Sequence, residues 1–331
     1  MNKLNHANVL ITGAGGFIGS HLVEAMAPLC GRVTAMIHYD ARPHWSNLEY
    51  LSDEILDGIE VVAGDIADPH FVRNLVKDKT HVFHLAALIS IPYSYSAPSA
   101  YFQTNVQGTV NIAEACLREG VQRLVHTSTS ECYGTALRTP IDEDHPLQAQ
   151  SPYAASKIGA DKVIESYCCS FDLPAVTVRP FNTYGPRQSA RAVVPTIIKQ
   201  TLSPQPAIQL GALSPRRDLT FASDTAAGFI AAAAEPGVEG ETINLGVGKS
   251  ITIGELAQAV FDAAGIQKDI QCDEKRIRPG KSEVMELVSD NAKAQKKLHW
   301  SPRISLQDGL KKSIEFVKAH PEFHDINRFA L

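Results

Sequence analysis

Three side chains in the middle of the chain have the residue types and the spacing of a site that moves protons and hydride. Tyr153 and Lys157 lie one helical turn apart and therefore share a helix face. A nearby lysine charge, together with an oxidised nicotinamide, is expected to lower the pKa of the phenol from its usual value of about 10, so that Tyr153 accepts a hydroxyl proton as hydride leaves the carbon. Glu131 lies in the run Thr127–Gly134, and a carboxylate there can remove the acidic proton beside a newly formed ketone. We therefore predict that Glu131 is the base of an elimination reaction.

The first apolar strand is followed by a glycine-rich run, Gly13-Ala14-Gly15-Gly16-Phe17-Ile18-Gly19, which opens a predicted helix. In this context the first glycine allows a tight turn, and a later one lets backbone amides approach a pyrophosphate. The last glycine lets the helix pack closely on the strand. The run therefore predicts a dinucleotide site formed by Gly13, Gly16, Phe17, Ile18 and Gly19.

The end of the second predicted strand distinguishes between the two nicotinamide cofactors. An acid there binds the ribose 2′-hydroxyl, whereas a positive charge suits a 2′-phosphate. The strand tip has no acid, and His38 and Arg42 can face a phosphate, although Asp40 favours the opposite choice. We therefore predict NADP, with NAD as the alternative. Asp65 and Ile66, after the third strand, are predicted to meet the adenine.

The composition excludes several classes of protein. With 331 residues and 44% hydrophobic content the chain can bury a large core, and a formal charge of −5 argues against non-specific nucleic-acid binding, which needs a broad basic surface. We find no pattern of a secretory signal and no apolar stretch of membrane-spanning length. The cysteine and histidine spacings predict neither disulfides nor a metal site. We expect a soluble, cytoplasmic protein.

Short β-branched apolar runs alternate with longer helical patterns over the first half of the chain. These runs are Asn8–Thr12, Arg32–Ile37, Glu60–Ala63, His81–Leu85, Arg123–Thr127 and Ala175–Val178. The alternation predicts an α/β fold with a doubly wound, Rossmann-like parallel sheet. After Pro180, loops rich in proline, glycine and arginine indicate a smaller, discontinuous lobe that holds the substrate. We predict a dinucleotide-binding domain of residues 1–180 plus 222–245 and a substrate-binding lobe of residues 181–221 plus 246–331.

Two long helical stretches, Ala97–Glu119 and Pro152–Ser170, carry apolar residues on more than one face. Helix pairs of this kind often form the interface of a homodimer, although burial within the monomer would give the same pattern. We expect a homodimer through these two helices.

The combination of these motifs resembles the extended short-chain dehydrogenase/reductase family over nearly the whole chain. The matching stretches are the glycine-rich run, His84–Ala87, Asn105–Thr109, Tyr153–Lys157, Arg179–Arg187 and Arg217-Asp218. Thr129-Ser130-Glu131 is similar to the catalytic triplet of nucleotide-sugar 4,6-dehydratases, in particular the GDP-mannose type. Residues 182–195, Arg278-Pro279 and Ser282–Val284 are similar to the N-acetylglucosamine-nucleotide 4,6-dehydratases of legionaminic or pseudaminic acid biosynthesis. Many dehydratases carry Asp where this chain has Ser130.

The resemblance implies a reaction cycle and the residues that perform it. Tyr153 deprotonates the C4 hydroxyl, which Thr129 holds, while the nicotinamide takes the C4 hydride. Glu131 then removes the C5 proton, and water leaves C6 with help from protonated Glu131 or from Ser130 through a water molecule. The hydride returns to C6, so the cofactor is tightly held and recycled. The catalytic residues implied are Thr129, Ser130, Glu131, Tyr153 and Lys157.

The resemblance also implies residues that bind the two ligands. A nucleotide-sugar diphosphate needs positive donors, and bidentate guanidinium groups fit phosphate geometry. The substrate-binding residues implied are Asn182, Arg187, Arg217 and Arg278, with Glu283 on a ribose. The cofactor-binding residues implied are Leu85, Ala86 and Ala87, together with Tyr153 and Lys157.

Three alternatives remain open. A 4-epimerase oxidises the same C4 position but has no use for a C5 base, whereas a uronic acid decarboxylase can carry the same Thr-Ser-Glu triplet. A non-catalytic nucleotide-sensing subunit would keep the fold and the cofactor without turnover. The sequence does not distinguish UDP from GDP, although the resemblance favours an N-acetylglucosamine nucleotide.

Overall fold

The computed structural model of the chain describes residues 4–42, 44–276 and 280–320. Its strands are β1 (Asn8–Thr12), β2 (Arg32–His38), β3 (Ile59–Gly64), β4 (His81–His84), β5 (Arg123–Thr127), β6 (Ala175–Pro180), β7 (Asn182–Tyr184), β8 (Ala207–Leu210), β9 (Arg216–Phe221), β10 (Thr242–Leu245), β11 (Ser250–Thr252), β12 (Asp269–Cys272) and β13 (Glu286–Leu287). Its α-helices are α1 (Phe17–Met26), α2 (Asp53–Asp57), α3 (Pro69–Val76), α4 (Ile91–Ser96), α5 (Pro98–Tyr101), α6 (Gly108–Glu119), α7 (Pro152–Phe171), α8 (Val193–Leu202), α9 (Ala222–Ala234), α10 (Ile253–Ala264), α11 (Ala292–Leu298) and α12 (Leu306–Ala319). Short 3₁₀ turns cover Ser46–Tyr50, Ser130–Tyr133, Glu274–Arg276 and Gly280–Ser282, and a π-helical turn covers Phe102–Gln107.

One sheet contains seven of these strands, in the order β10-β6-β5-β4-β1-β2-β3. Every neighbouring pair in it is parallel. Continuous apolar runs are typical of strands buried on both faces, and β6 is buried at all of its positions. The prediction of a doubly wound parallel sheet is confirmed. The direction in which successive strands are added to the sheet reverses between β1 and β4. Sheets of this type bind ligands at that point, beyond the carboxyl ends of the strands.

Helices cover the two faces of this sheet and form a separate apolar core on each. On one face α1, α9 and α11 contribute buried side chains such as Leu22 and Phe229. On the other face α3, α6 and α7 contribute side chains such as Val72 and Ile164. Full burial of one such side chain stabilises the fold by about 1.5–3 kcal/mol. Within the described part of the chain, no helix is long and apolar enough to cross a lipid bilayer.

The smaller lobe has its own sheets and its own core. β9 pairs with β7, β11 and β13, and β8 pairs in parallel with β12. The apolar faces of α8, α10 and α12 pack against these strands, and the core includes Tyr184, Ile197, Phe261 and Ile314. The lobe therefore begins at β7, directly after the last residues of β6.

The segment around α11 packs with the larger sheet, although the sequence analysis assigned residues 246–331 to the smaller lobe. Ala294, Leu298 and Trp300 lie in the same apolar core as α1 and α9. The Trp300 indole N–H donates to the carbonyl of Asp224 at 2.8 Å. The chain thus returns to the first domain before α12 rejoins the lobe.

The stretch Ala97–Glu119, predicted as one helix, is divided by the π-helical turn between α5 and α6. Buried Asn105 accounts for the division, because its side chain accepts from the N–H of Leu88 at 2.8 Å and donates to the Leu88 carbonyl at 2.9 Å. The Thr109 hydroxyl donates to the Asn105 carbonyl at 2.6 Å. Apolar periodicity does not reveal a turn that is widened by hydrogen bonds of this kind.

We expect Gly309→Ala, in α12, to destabilise the protein. A Cβ at this position would overlap the Tyr184 hydroxyl and lie 2.7 Å from Cδ2 of Phe221, and both rings are buried. Overpacking of this kind costs about 1–3 kcal/mol. The measurement is the free energy of unfolding in denaturant.

Gly254→Ala, in α10, is the matched control for this variant. A Cβ there would meet nothing closer than 3.8 Å, and alanine favours a helix by about 1 kcal/mol over glycine. This variant should be at least as stable as the unmodified protein. Equal stabilities of the two variants would show that Gly309 is not a packing constraint.

Candidate active site

The glycine-rich loop between β1 and α1 lies where the winding of the sheet reverses. Gly13 has a φ of 70°, a left-handed conformation that favours glycine, and a Cβ there would lie 2.7 Å from the backbone nitrogen of Ala86. Gly19 packs against the Gly13 carbonyl with no room for a Cβ. The loop therefore requires glycine at these two positions.

The first turn of α1 faces this loop with backbone donors. Gly16 is the N-cap and provides no side-chain hydrogen bond. The first N–H groups of a helix, here including those of Phe17 and Ile18, have no intrahelical acceptor and attract anions. The close-packed glycine turn and the uncapped helix start together fit the pyrophosphate of a dinucleotide.

The end of β2 carries an ion pair that the sequence analysis did not foresee. Arg42 Nη2 lies 2.7 Å from Oδ2 of Asp40, and the Arg42 N–H also bonds to that carboxylate. Hydrogen bonds from Arg42 lower the pKa of Asp40 to about 2. His38, the last residue of β2, is exposed. The two residues predicted to face a 2′-phosphate are thus both at the surface, and one of them has a carboxylate partner.

Asp65 and Ile66 follow β3 and have different environments. Asp65 is exposed, and its carboxylate accepts from the N–H of Ala67 at 2.9 Å. Ile66 is buried against Gly108 of α6, and its carbonyl accepts from the Asn111 side chain at 2.9 Å. The backbone of this segment is therefore anchored on α6.

The stretch after β4 lies directly beside the glycine loop. The N–H groups of Leu85 and Ala86 each lie 3.2 Å from the hydroxyl oxygen of Thr12, at the end of β1. Ala87 is half-buried. These hydrogen bonds hold together the ends of β1 and β4, where the winding of the sheet reverses.

The residues predicted to be catalytic meet at the carboxyl end of β5. Thr129 caps the 3₁₀ turn Ser130–Tyr133, and its hydroxyl accepts from the N–H of Glu131 at 3.3 Å. The Thr129 side chain also lies close enough to the Tyr153 phenol to lower its pKa. Lys157 Nζ donates to the carbonyl of Thr127 at 2.6 Å, which fixes α7 against β5. The structure therefore brings the triplet and the tyrosine-lysine pair together.

The electrostatics at Tyr153 differ from the sequence-based expectation of a lowered pKa. Burial raises the pKa of Tyr153, and the negative charge of Glu131 raises it further, whereas the hydrogen bond with Thr129 lowers it. Burial also lowers the pKa of Lys157, against the opposing charge of Asp161. In the protein without a bound cofactor, burial therefore has the largest effect on the pKa of the Tyr153 phenol.

Sequence analysis missed a buried polar network under this site. Asp161, one helical turn after Lys157, accepts from the Ser128 hydroxyl at 2.6 Å and from Arg179 at 2.8 Å. Arg179 also donates to the Tyr133 hydroxyl at 3.0 Å. The one available signal was Asp161 on the same helix face as Tyr153 and Lys157. The network ties α7 to β6 and to the turn that carries Glu131.

The residues predicted to bind substrate lie in different surroundings. Asn182 begins β7, and its Oδ1 is buried without a hydrogen-bond partner among the described residues. Arg217 of β9 donates to Glu283 at 3.0 Å, so these two are brought together. Arg187 instead contacts α1. Arg278 lies outside the described residues.

Groups of side chains suited to a metal ion are absent from the described ranges, in which no three His, Cys, Asp or Glu residues converge.

Comparisons with known proteins agree with this arrangement. The family model described as GDP-mannose 4,6 dehydratase matches residues 10–313. A UDP-glucose 4-epimerase from Mycolicibacterium smegmatis is 34% identical over 93% of this chain and 98% of that protein. A dTDP-glucose 4,6-dehydratase from Streptomyces antibioticus is 31% identical over 94% of this chain and 92% of that protein. A crystal structure of the Streptomyces venezuelae dTDP-glucose 4,6-dehydratase with NAD bound has a TM-score of 0.87 and 27% identity, and covers 97% of this chain and 100% of that one.

The relatives include enzymes of both reaction types, the dehydratases and the epimerases, and they match over nearly the full chain. The family model covers more than half of the chain, and the solved dehydratase shares its fold throughout. The predicted membership of the extended short-chain dehydrogenase/reductase family is confirmed. The chain is an enzyme that belongs to the GDP-mannose 4,6-dehydratase-like family of nucleotide-sugar dehydratases and epimerases.

Proposed function

We propose that the enzyme is a nucleotide-sugar 4,6-dehydratase in which Glu131 removes the C5 proton. The observation that carries this proposal is the grouping at the end of β5, where the Thr129 hydroxyl accepts from the Glu131 N–H and Thr129 lies close enough to Tyr153 to lower its pKa. The Glu131 charge is close enough to raise the pKa of the Tyr153 phenol. A carboxylate beside the residue that deprotonates C4 is well placed for the neighbouring carbon.

In the proposed reaction the side chains of the site remove protons from C4–OH and from C5 and assist the leaving hydroxyl. Tyr153 takes the proton of the C4 hydroxyl, whose oxygen Thr129 holds. A nicotinamide cofactor bound at the glycine loop would supply the hydride chemistry, because it can accept a hydride from C4 and return that hydride to C6. Glu131 takes the C5 proton, the C6 hydroxyl leaves as water, and a proton from solvent is returned to C5. Ser130 or protonated Glu131 assists the leaving hydroxyl.

The main alternative is a 4-epimerase, and the 34% identity to a UDP-glucose 4-epimerase supports it. An epimerase returns hydride to C4 and needs no carboxylate at C5, so the position of Glu131 favours the dehydratase. A uronic acid decarboxylase uses the same first step but loses carbon dioxide. The products of the three reactions therefore differ in mass.

We propose UDP- or GDP-linked N-acetylglucosamine as the substrate. Asn182 supports a ligand in the smaller lobe, because a buried acceptor without a protein partner is costly unless a ligand or water bonds to it. Arg217, buried and paired with Glu283, supplies a positive charge in the same lobe for a diphosphate. A role for Arg278 remains a prediction from the sequence.

We further propose a cytoplasmic homodimer that uses α6 and α7. Phe102, in the π-helical turn, and Phe171, at the end of α7, are 45% and 55% exposed. Pairing of these helices with a second copy would cover large apolar side chains of this kind.

The first prediction from the proposed function concerns the product and its base. Incubated in heavy water with UDP- and GDP-N-acetylglucosamine, the enzyme should release a product that has lost water and carries deuterium at C5. Glu131→Gln should reduce this turnover by at least about a hundredfold and abolish the deuterium label, because no base remains for C5. Reduction of the bound cofactor by the C4 carbinol should persist, and mass spectrometry with absorbance at the nicotinamide band measures both.

Glu165→Gln, on the exposed face of α7, is the control for this variant and should retain activity. A product of unchanged mass would instead establish epimerisation, and loss of carbon dioxide would establish decarboxylation. Normal dehydration by Glu131→Gln would remove this residue as the base.

The second prediction concerns the pH dependence set by Thr129. The Thr129 hydrogen bond lowers the pKa of Tyr153, so its loss in Thr129→Val raises that pKa. Because Tyr153 acts as a base in its deprotonated form, the rise of kcat with pH should move to higher pH. Thr129→Ser keeps a hydroxyl and should keep the profile near that of the unmodified enzyme. An acid limb that does not move in Thr129→Val would contradict the assignment of Thr129 to Tyr153.

The third prediction concerns the choice of cofactor, for which we propose NADP over NAD. The ion pair of Arg42 with Asp40 is exposed and therefore weak, so Arg42 can exchange this partner for a 2′-phosphate. Arg42→Ala should weaken NADP binding roughly two- to fivefold and leave NAD binding unchanged. Calorimetric titration of both cofactors measures this, with Arg73→Ala on α3 as the control. Tighter binding of NAD than of NADP by the unmodified enzyme would reverse the proposal.

A further inference from the structure

Arg187, predicted from the sequence to bind substrate, is buried against the helix that follows the glycine loop. Its Nη2 donates to Nδ1 of His21 at 2.6 Å and forms an ion pair with Glu24, both on α1. Arg187 has a φ of 65°, a left-handed conformation that is uncommon for residues other than glycine. Arg187 therefore combines this uncommon backbone conformation with a guanidinium that contacts α1.

His21 contributes to this contact as a neutral ring. Its Nε2 lies 2.9 Å from the carbonyl oxygen of Pro186, so Nε2 carries the proton and Nδ1 accepts from Arg187. Burial and the charge of Arg187 lower the pKa of His21 to about 3. The contact thus contains one ion pair, between the positive charge of Arg187 and the carboxylate of Glu24, and His21 adds no charge to it.

Asn47 connects the same residue to the glycine loop itself. Its side-chain amide donates to the Arg187 carbonyl at 3.1 Å, and its backbone N–H donates to the Gly15 carbonyl at 3.2 Å. Arg187, His21, Glu24 and Asn47 therefore form one contact, here named the Arg187 clasp. The clasp touches both the loop and the first helix of the dinucleotide fold.

On the carboxyl side of Arg187, the neighbouring residue Gln188 connects the clasp to β7 of the substrate lobe. The Gln188 side chain donates to the carbonyl of Thr183 at 2.9 Å, which closes the turn after β7 onto the strand. Asn182 begins that strand and carries the buried Oδ1 without a partner among the described residues. The hydrogen bond of Gln188 therefore connects the residue next to Arg187 with the strand that holds Asn182.

We infer that Arg187 is a positioning residue that couples occupancy of the dinucleotide site to occupancy of the nucleotide-sugar site. The inference rests on the proposed function, since it requires both ligands to bind. An anion at the start of α1 holds the glycine loop and α1 in place, and the clasp transmits this order to β7. Binding of either ligand thereby favours the arrangement that binds the other, and such coupling is reciprocal.

The experiment measures this coupling as a ratio of dissociation constants. NADP⁺ is titrated into the full-length protein with and without saturating uridine diphosphate, which does not react; NAD⁺ and guanosine diphosphate replace them where they bind more tightly. The unmodified enzyme should bind the cofactor at least about fivefold more tightly in the presence of the nucleotide. Arg187→Met should bring this ratio close to one.

Two further variants separate coupling from folding. Glu24→Gln, on the half-exposed side of the clasp, keeps a hydrogen-bond acceptor but loses the charge, and its ratio should fall between the other two. Arg118→Met removes an exposed arginine that pairs with Glu114 on α6, and it should leave the ratio unchanged. If Arg187→Met does not fold, the ratio of Glu24→Gln alone tests the coupling: a reduced ratio supports it and an unchanged ratio contradicts it.

The possible outcomes separate this inference from the proposed function. Failure of the unmodified enzyme to bind any nicotinamide cofactor would overturn both. Binding of both ligands with a ratio of one, or an unchanged ratio in folded Arg187→Met and Glu24→Gln, would overturn the coupling and leave the dehydratase proposal standing. A ratio close to one in Arg187→Met, an intermediate ratio in Glu24→Gln and an unchanged ratio in Arg118→Met would establish it.

Discussion

A buried ion pair between Asp161 of α7 and Arg179 of β6 lies beneath the catalytic residues and holds their elements in place. Burial opposes the charge on Asp161, yet hydrogen bonding to His126 and the Arg179 charge lower its pKa to about 2. Loss of one partner from such a pair costs about 3–5 kcal/mol, because it leaves an uncompensated charge in the interior. Arg179 also bonds to Tyr133, two residues after Glu131. The helix with Tyr153 and the turn with Glu131 thus share one anchor.

Much of this architecture could be predicted from local sequence patterns. The strand runs of the parallel sheet are β-branched and continuous because they are buried on both faces, and β1 and β5 begin and end at the predicted residues. The glycine loop was recognisable because a close backbone approach excludes every other residue type. Tyr153 and Lys157 were recognisable because helical spacing places them on one face.

The features that sequence patterns did not reveal depend on contacts between distant parts of the chain. Arg187 and Arg217 both follow turns in the same lobe, but one reaches Glu24 and the other Glu283. No local pattern states which acid a buried arginine meets when the partner is 66 or 163 positions away. Likewise, α11 lies in the stretch assigned to the lobe but packs with the first core, and the π-helical turn depends on the contact of Asn105 with Leu88.

The return of α11 and Trp300 to the larger sheet has a consequence for synthesis on the ribosome. The first domain begins at the amino end, but its edge strand β10 ends at Leu245 and its apolar cover is completed only by Leu298 and Trp300. A nascent chain that has emerged only as far as α10 exposes the apolar surface that these residues later cover. Domains fold as units, and exposed apolar surface promotes aggregation. The core that α1, α9 and α11 share can therefore close only after the chain has emerged past Trp300.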